Sequence, residues 1–265
     1  MAGTLTRTTL ARFQIAARCT VVRTPVESFT DFAEVVAPWA EGGTLWFRGH
    51  GNARWSLCPG ALRHRRAAKR AAALDLFDRF RERALSKLAS PPGLDDNLQW
   101  AGIAQHYGLP TRLLDWTTKP FVALHFALEH PDEDGAVYMM NPTELNRAAD
   151  PRHHGVLSGS KDRLVAEKYL GLGATLQPGG LPPIAIRPLW NCPRIEAQDG
   201  VFTIHGDKYF AMTGRLVPSL VCIPIRRRFK AKLSKSLVAV GGLSLTSIYP
   251  ELEYLCRALR HAAGV

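Results

Sequence analysis

A chain of 265 residues with 46% hydrophobic and 22% charged residues has globular composition, which excludes global disorder and leaves room for a substantial core. Its formal net charge of +11 points toward anionic partners, and the absence of any run of about eighteen apolar residues excludes a helical membrane span. The five cysteines, Cys19, Cys58, Cys192, Cys222 and Cys256, are widely spaced with no CxxC pair, which argues against a disulfide framework or a zinc cluster and for a reducing cytoplasm.

Residues 1–20 read as a flexible, mildly basic arm without a signal-peptide apolar stretch, and 21–265 read as one domain. Val26, Phe29, Phe32, Val35 and Val36 predict a helix over Thr24 to Trp39, ended by Gly42 and Gly43. Leu45 to Phe47 reads as a buried strand running into Arg48-Gly49-His50-Gly51. A second, amphipathic helix is marked by Leu74, Phe77, Phe80, Ala84, Leu85 and Leu88, and a third runs from Leu98 to Tyr107, closed by Gly108. Thr111 to Trp116 reads as a strand. The following TTKPFVALHFALEH reads as a helix with an early proline, and Ala136 to Met140 as a strand.

Asn141 to Gly155 reads as a loop containing at most a helical turn, Lys161 to Leu170 as a helix, and Gln177 to Pro183 as turns. Strands are expected at Ile184 to Leu189, Gly200 to Ile204 and Leu216 to Ile225, then helices near Phe229 to Val240 and Pro250 to His261. Strands separated by helices of uneven length, without a strict βαβ repeat, define an α+β class.

Two basic clusters concentrate the charge. One is Arg63, Arg65, Arg66, Lys69 and Arg70. The other contains Arg226, Arg227, Arg228, Lys230, Lys232 and Lys235. Each reads either as a binding face for nucleic acid or another polyanion, with Arg226, Arg227, Arg228 and Lys230 as the contacts, or as a solvated surface.

Two other segments could carry chemistry. In Trp46 to Gly51, a strand-borne Arg48 offers a guanidinium fork suited to phosphate, and Gly49 bares the backbone to a ligand. The alternative is that Arg48 pairs with Asp115 inside the fold. Gln105 to Thr117 packs His106, Thr111, Arg112, Asp115, Trp116 and Thr117 beside apolar Leu113 and Leu114, so it must form a hydrogen-bond network, functional or architectural. No metal-ligand spacing, Walker loop, dinucleotide fingerprint or G-x-S-x-G elbow occurs.

Trp46-Phe47-Arg48-Gly49-His50, Gln105 to Thr117, Pro120 and Ala123-Leu124-His125-Phe126-Ala127 resemble the FRG domain family. So do Pro193-Arg194-Ile195, Ala197 to Thr203 and Ile248 to Glu253. That resemblance implies a link to bacterial and phage conflict systems. A remoter resemblance is to the ADP-ribosyltransferase fold, which implies a split mixed β-sheet flanked by helices and NAD as cofactor.

On that resemblance Arg48, with Gly49, His106, Arg112 and Arg194 nearby, would hold the nucleotide. Thr111, Asp115 or Thr117 would order the ribose. A late acid would oppose the positive charge that develops on the ribose as nicotinamide departs. Here that segment reads Glu196-Ala197-Gln198-Asp199, with Gln198 where the glutamate is usual, so Glu196 or Asp199 would have to serve from one short extended stretch. Three readings follow: an NAD-using transferase or glycohydrolase, a nucleic-acid-binding module, and a nucleotide sensor without turnover.

Overall fold

The computed structural model describes residues 19–64, 66–170, 180–189, 192–206 and 212–264. Most of the expected arm, Arg65 and the start of the expected turn at Gln177 lie outside these residues.

Strand β1 (Thr20–Val21) is followed by helix α1 (Phe29–Ala40), which begins later than its apolar periodicity suggests. Ser28 sets the start: its hydroxyl accepts from the Asp31 amide at 3.2 Å, and the Asp31 carboxylate accepts from the Ser28 amide at 2.9 Å. Next come β2 (Trp46–His50), α2 (Ala67–Ala84), α3 (Asn97–His106), β3 (Leu113–Thr117), α4 (Pro120–Leu128) and β4 (Gly135–Met140). Gly108 follows α3 at φ 85°, the left-handed geometry that lets a helix end cheaply.

The expected loop after β4 contains instead a full helix, α5 (Pro142–Ala149). Asn141 caps it by accepting from the Thr143 amide at 2.9 Å, and Pro142 occupies its first turn. The fully buried Asn146 then donates to the carbonyls of Gly155 and Ala185, both at 2.9 Å. Strand β5 (Leu157–Ser158), α6 (Arg163–Leu170), β6 (Ile184–Arg187), α7 (Pro193–Ala197) and β7 (Gly200–Ile204) follow. The last elements are β8 (Val221–Ile225), α8 (Arg227–Ala239), α9 (Leu245–Ile248) and α10 (Leu252–Ala263). The strand expected from Leu216 starts only at Val221, because residues Thr213 to Leu220 satisfy one another in turns.

The strands form one mixed sheet in the order β1-β8-β4-β2-β3-β7-β6-β5. This is an α+β arrangement, but the sheet is not fully split. Its two halves meet at one residue pair, Phe47 opposite Thr117, whereas β2–β4 and β3–β7 each share five pairs.

Alternation along the strands distributes the core. Trp46, Leu114, Trp116, Tyr138, Ala185, Val201 and Cys222 form one cluster that crosses both halves. On the opposite face the core is divided. Phe47, Val137, Met139 and Ile223 pack with Phe32, Leu124 and Leu233 of α1, α4 and α8, and Leu113, Ile186, Phe202 and Ile204 pack with Leu98 and Tyr169 of α3 and α6. Strand β4 is buried along its whole length because both its faces are covered. Among the described residues no helix is long and apolar enough to cross a membrane.

Gly49 is required by close packing. It lies against α4, where a Cβ would overlap the Ala123 carbonyl oxygen and come within 2.7 Å of the Ala127 nitrogen. Backbone cannot yield as a side-chain end can. Gly49→Ala should therefore cost about 3 kcal/mol or more, at the top of the usual overpacking range. Urea denaturation of the variant beside the unmodified chain measures this, and a loss below about 1 kcal/mol would contradict the close packing.

Candidate functional site

Where β2 and β3 diverge beyond the Phe47–Thr117 pair, the Arg48 side chain bridges the gap. Its Nη1 donates to the Asp115 carbonyl at 2.6 Å and lies 3.6 Å from the Asp115 carboxylate. Its Nε donates to His50 Nε2 at 2.9 Å. Among the described residues Nη2 has no protein acceptor. Arg48 thus both pairs with Asp115, as the architectural alternative supposes, and keeps one edge of its fork open.

The network expected around Asp115 is present. The Leu113 amide donates to Thr111 Oγ1 at 3.1 Å, Thr111 donates to Gln105 Oε1, and Gln105 Nε2 donates to the Asp115 carboxylate. Buried Thr111 therefore serves this chain and does not line the cleft. Trp116 Nε1 donates to Thr203 Oγ1 at 3.2 Å, tying β3 to β7.

A cavity of about 350 Å³ opens beside this network. Arg48, Gly49, His106, Asp115, Trp116, Thr117, Arg194 and Gln198 all line it. Arg194, Ile195 and Gln198 reach it because the segment is helical, so residues four apart share a face. The expectation of an extended stretch is corrected here: Pro193 starts α7, and Asp199 ends the segment with φ 47°. Neither Glu196 nor Asp199 lines the cavity. Asp199 accepts from Thr118 Oγ1 at 3.1 Å and sits 3.6 Å from Lys119 Nζ, so it braces the turn after β3. Arg112 is also absent from the lining, and its carbonyl accepts from the His205 amide.

The cavity also recruits Trp55, Arg63, Phe126, Glu129 and Tyr249, which the sequence reading did not single out as site residues. Arg63 lay hidden in a basic cluster. The one available signal for Glu129 was its place three residues after Phe126, on the same helical face. Arg63 spends its Nε on the Cys58 carbonyl at 3.0 Å. Arg194 donates through Nε to Glu251 at 2.7 Å and lies over the rings of Tyr249 and Tyr254, 5.1 and 5.8 Å from their centroids. His106 Nδ1 is 3.5 Å from Cys192 Sγ and 4.0 Å from Glu251 Oε1.

Burial depresses the Arg48 pKa to about 10, with Asp115 opposing and the like charge of Arg63 reinforcing the shift, so the guanidinium stays charged at neutral pH. Burial, then Arg48 and Arg63, hold His50 well below 6.5, which leaves Nε2 free to accept from Arg48. Burial, then Arg194, lowers His106, and burial raises Glu129. The cavity thus gathers three guanidiniums, two carboxyls and several aromatic faces, a lining suited to a small anion that carries a ring.

Residues 43–136 match the family model described as FRG domain. The chain carries an FRG domain. The matched segment supplies Arg48, Trp55, Arg63, His106, Asp115 and Glu129 to the cavity, while Arg194, Gln198 and Tyr249 lie beyond it. No curated protein and no solved structure matches the chain.

The second basic cluster is not the four-residue contact face that its sequence suggests. Lys230 is 2% exposed, and its Nζ donates to the carbonyls of Gly51, Glu129 and His130 at 2.8, 2.6 and 3.1 Å. Arg226 pairs with Asp134 at 3.0 Å, and Arg227 donates to the Asp132 carbonyl at 3.4 Å. Arg227 and Arg228 are the exposed members of the four, and Arg228 is stacked over Phe229 and 3.9 Å from Glu27.

Lys230 thus pins the segment from which the FRG domain presents Glu129. Lys230→Met removes the charge and strands the Gly51 and Glu129 carbonyls, while the His130 carbonyl keeps the Glu133 amide at 3.1 Å. The expected loss is about 3 kcal/mol or more, set by the cost of leaving buried acceptors unpaired. A loss under about 1 kcal/mol in denaturant would return Lys230 to the surface.

The His50 pKa is depressed by folding, so the unfolded chain takes up this proton first as pH falls. Its stabilisation is present above about pH 6.5 and is lost as pH falls from there toward the folded value. The slope reaches at most about 1.4 kcal/mol per pH unit for one proton. Melting temperature should fall between pH 7.5 and 5.5 more steeply for the unmodified chain than for His50→Gln. Glu129, whose raised pKa acts in the opposite direction, is common to both proteins. Parallel profiles would show that His50 does not titrate as described.

Proposed function

We propose that the FRG domain binds a nucleotide of the NAD or ADP-ribose type in this cavity, with its phosphate on Arg48 and Arg63. The observation that carries the reading is the pair of guanidiniums with open N–H edges beside exposed aromatic faces in a cavity large enough for one nucleotide. Like charges close together are costly unless an anion joins them. The resemblance of strand-borne Arg48 to the ADP-ribosyltransferase pattern selects NAD-type nucleotides among anions.

Binding is favoured over turnover. The acids first considered for catalysis, Glu196 and Asp199, stand outside the cavity, while Gln198 faces it and donates to the Ile248 carbonyl at 3.2 Å. A glutamine holds a hydroxyl but supplies no charge to a developing cation. In the conflict-system setting that the FRG resemblance implies, such a domain would act as a sensor of the nucleotide. The engagement of Arg226 and Lys230 within the fold makes the cavity a better candidate than the basic surface.

Calorimetry with NAD, ADP-ribose and AMP tests the reading. Arg48→Lys and Arg63→Gln should each weaken binding by about tenfold or more, since lysine keeps the charge but loses the fork. Arg63→Gln touches one carbonyl contact and so reports on binding apart from stability. Release of nicotinamide from NAD by the unmodified chain would move the assignment from sensor to enzyme. A folded chain that binds no adenine nucleotide would remove both.

A further inference from the structure

The cavity is rich in donors, and its two carboxyls have different duties. Asp115 is engaged by Arg48 and by Gln105, and so belongs to the bridge between the half-sheets. Glu129 is not occupied in this way. Its side chain receives one long contact, from the Tyr249 hydroxyl at 3.5 Å. Its backbone is nonetheless fixed: Lys230 Nζ holds its carbonyl at 2.6 Å, and a Cβ on Gly51 would lie 2.8 Å from that oxygen.

A carboxylate carried on a fixed backbone among guanidinium donors is unfavourable for a bare anion, which it repels. It is favourable for a ligand that carries hydroxyl donors a short distance from its phosphate. On a nucleotide those donors are the ribose hydroxyls.

We infer that the cavity selects a ribonucleotide over its 2′-deoxy counterpart and over inorganic phosphate, with the Glu129 carboxylate accepting hydrogen bonds from the ribose hydroxyls. This rests on the nucleotide reading above and makes Glu129 its specificity-determining residue. A ligand without the 2′-hydroxyl leaves the acceptor partly desolvated and unpaired, the situation in which hydrogen-bonding sites discriminate most strongly. Glu129 retains contact with solvent, so the discrimination is closer to tenfold than to the far larger ratios of sealed pockets.

Calorimetry at pH 8 with AMP, 2′-deoxyAMP and inorganic phosphate tests this on the full chain. The unmodified protein should bind AMP about tenfold or more tightly than 2′-deoxyAMP, and phosphate weakest. Glu129→Gln should reduce that preference to about threefold or less, mainly by weakening AMP. Glu129→Asp keeps the charge but retracts it, and should give an intermediate preference. Circular dichroism establishes that each variant is folded. Equal binding of AMP and 2′-deoxyAMP by the unmodified chain overturns the inference and leaves nucleotide binding standing. An undiminished preference in a folded Glu129→Gln or Glu129→Asp variant overturns the role of Glu129. Binding of neither nucleotide overturns the functional reading, and this inference with it.

Discussion

The structure turns on one seam. Two four-stranded half-sheets are joined through a single backbone pair, Phe47 opposite Thr117, and beyond it the strands part. Parting strands leave backbone acceptors without ladder partners, and such groups must be satisfied when removed from water. Arg48 meets that need at the Asp115 carbonyl and is itself oriented by His50. The residue best placed to meet a ligand is therefore also the one that closes the backbone accounting where the sheet opens. Desolvation works against its charge, and Asp115 compensates only in part. The site is consequently electrostatically unsaturated, while Arg48 itself is well anchored.

The divided core supports the same opening. One face of the sheet carries a continuous apolar cluster across both halves, which holds them together. The other face carries two clusters under separate helix groups, and the cavity runs between them. Helix α4 is drawn close to β2 by Gly49 and to β4 by Gly135, where any side chain would meet backbone. That close approach brings the end of α4 to the cavity rim, and Lys230 fixes it there by gathering three carbonyls that no helix or strand satisfies.

Much of this was legible in the residues. The strand at Thr111 to Trp116, the proline-led helix after it and the strand at Gly200 to Ile204 follow local rules of alternation and capping, and they lie close to where those rules put them. The density of polar groups between Gln105 and Thr117 announced a network because buried polar atoms need partners. What was not legible depended on tertiary context. Gly49 signals close approach, but sequence does not say whether by ligand or helix. Lys230 looks like its basic neighbours, and only its burial distinguishes it. Five-residue α7 is too short for a periodic signal, so Gln198 could be placed near the cavity while Glu196 and Asp199 were turned the wrong way. Helix α5 is held by Asn146, whose buried amide bonds two carbonyls distant in sequence, a contact that no local rule anticipates.

The seam also bears on how the protein comes apart. Cooperative opening follows the boundaries where fewest hydrogen bonds and apolar contacts must break. The five-pair ladders between β2 and β4 and between β3 and β7 bind each half into a unit, whereas the β2–β3 border carries one backbone pair and one arginine above the apolar cluster that both halves share. Amides along the β2–β3 border are thus the natural first to exchange with solvent, ahead of those inside either half. A molecule lodged across that border would act as a cross-brace, slowing exchange at the seam more than anywhere else in the sheet.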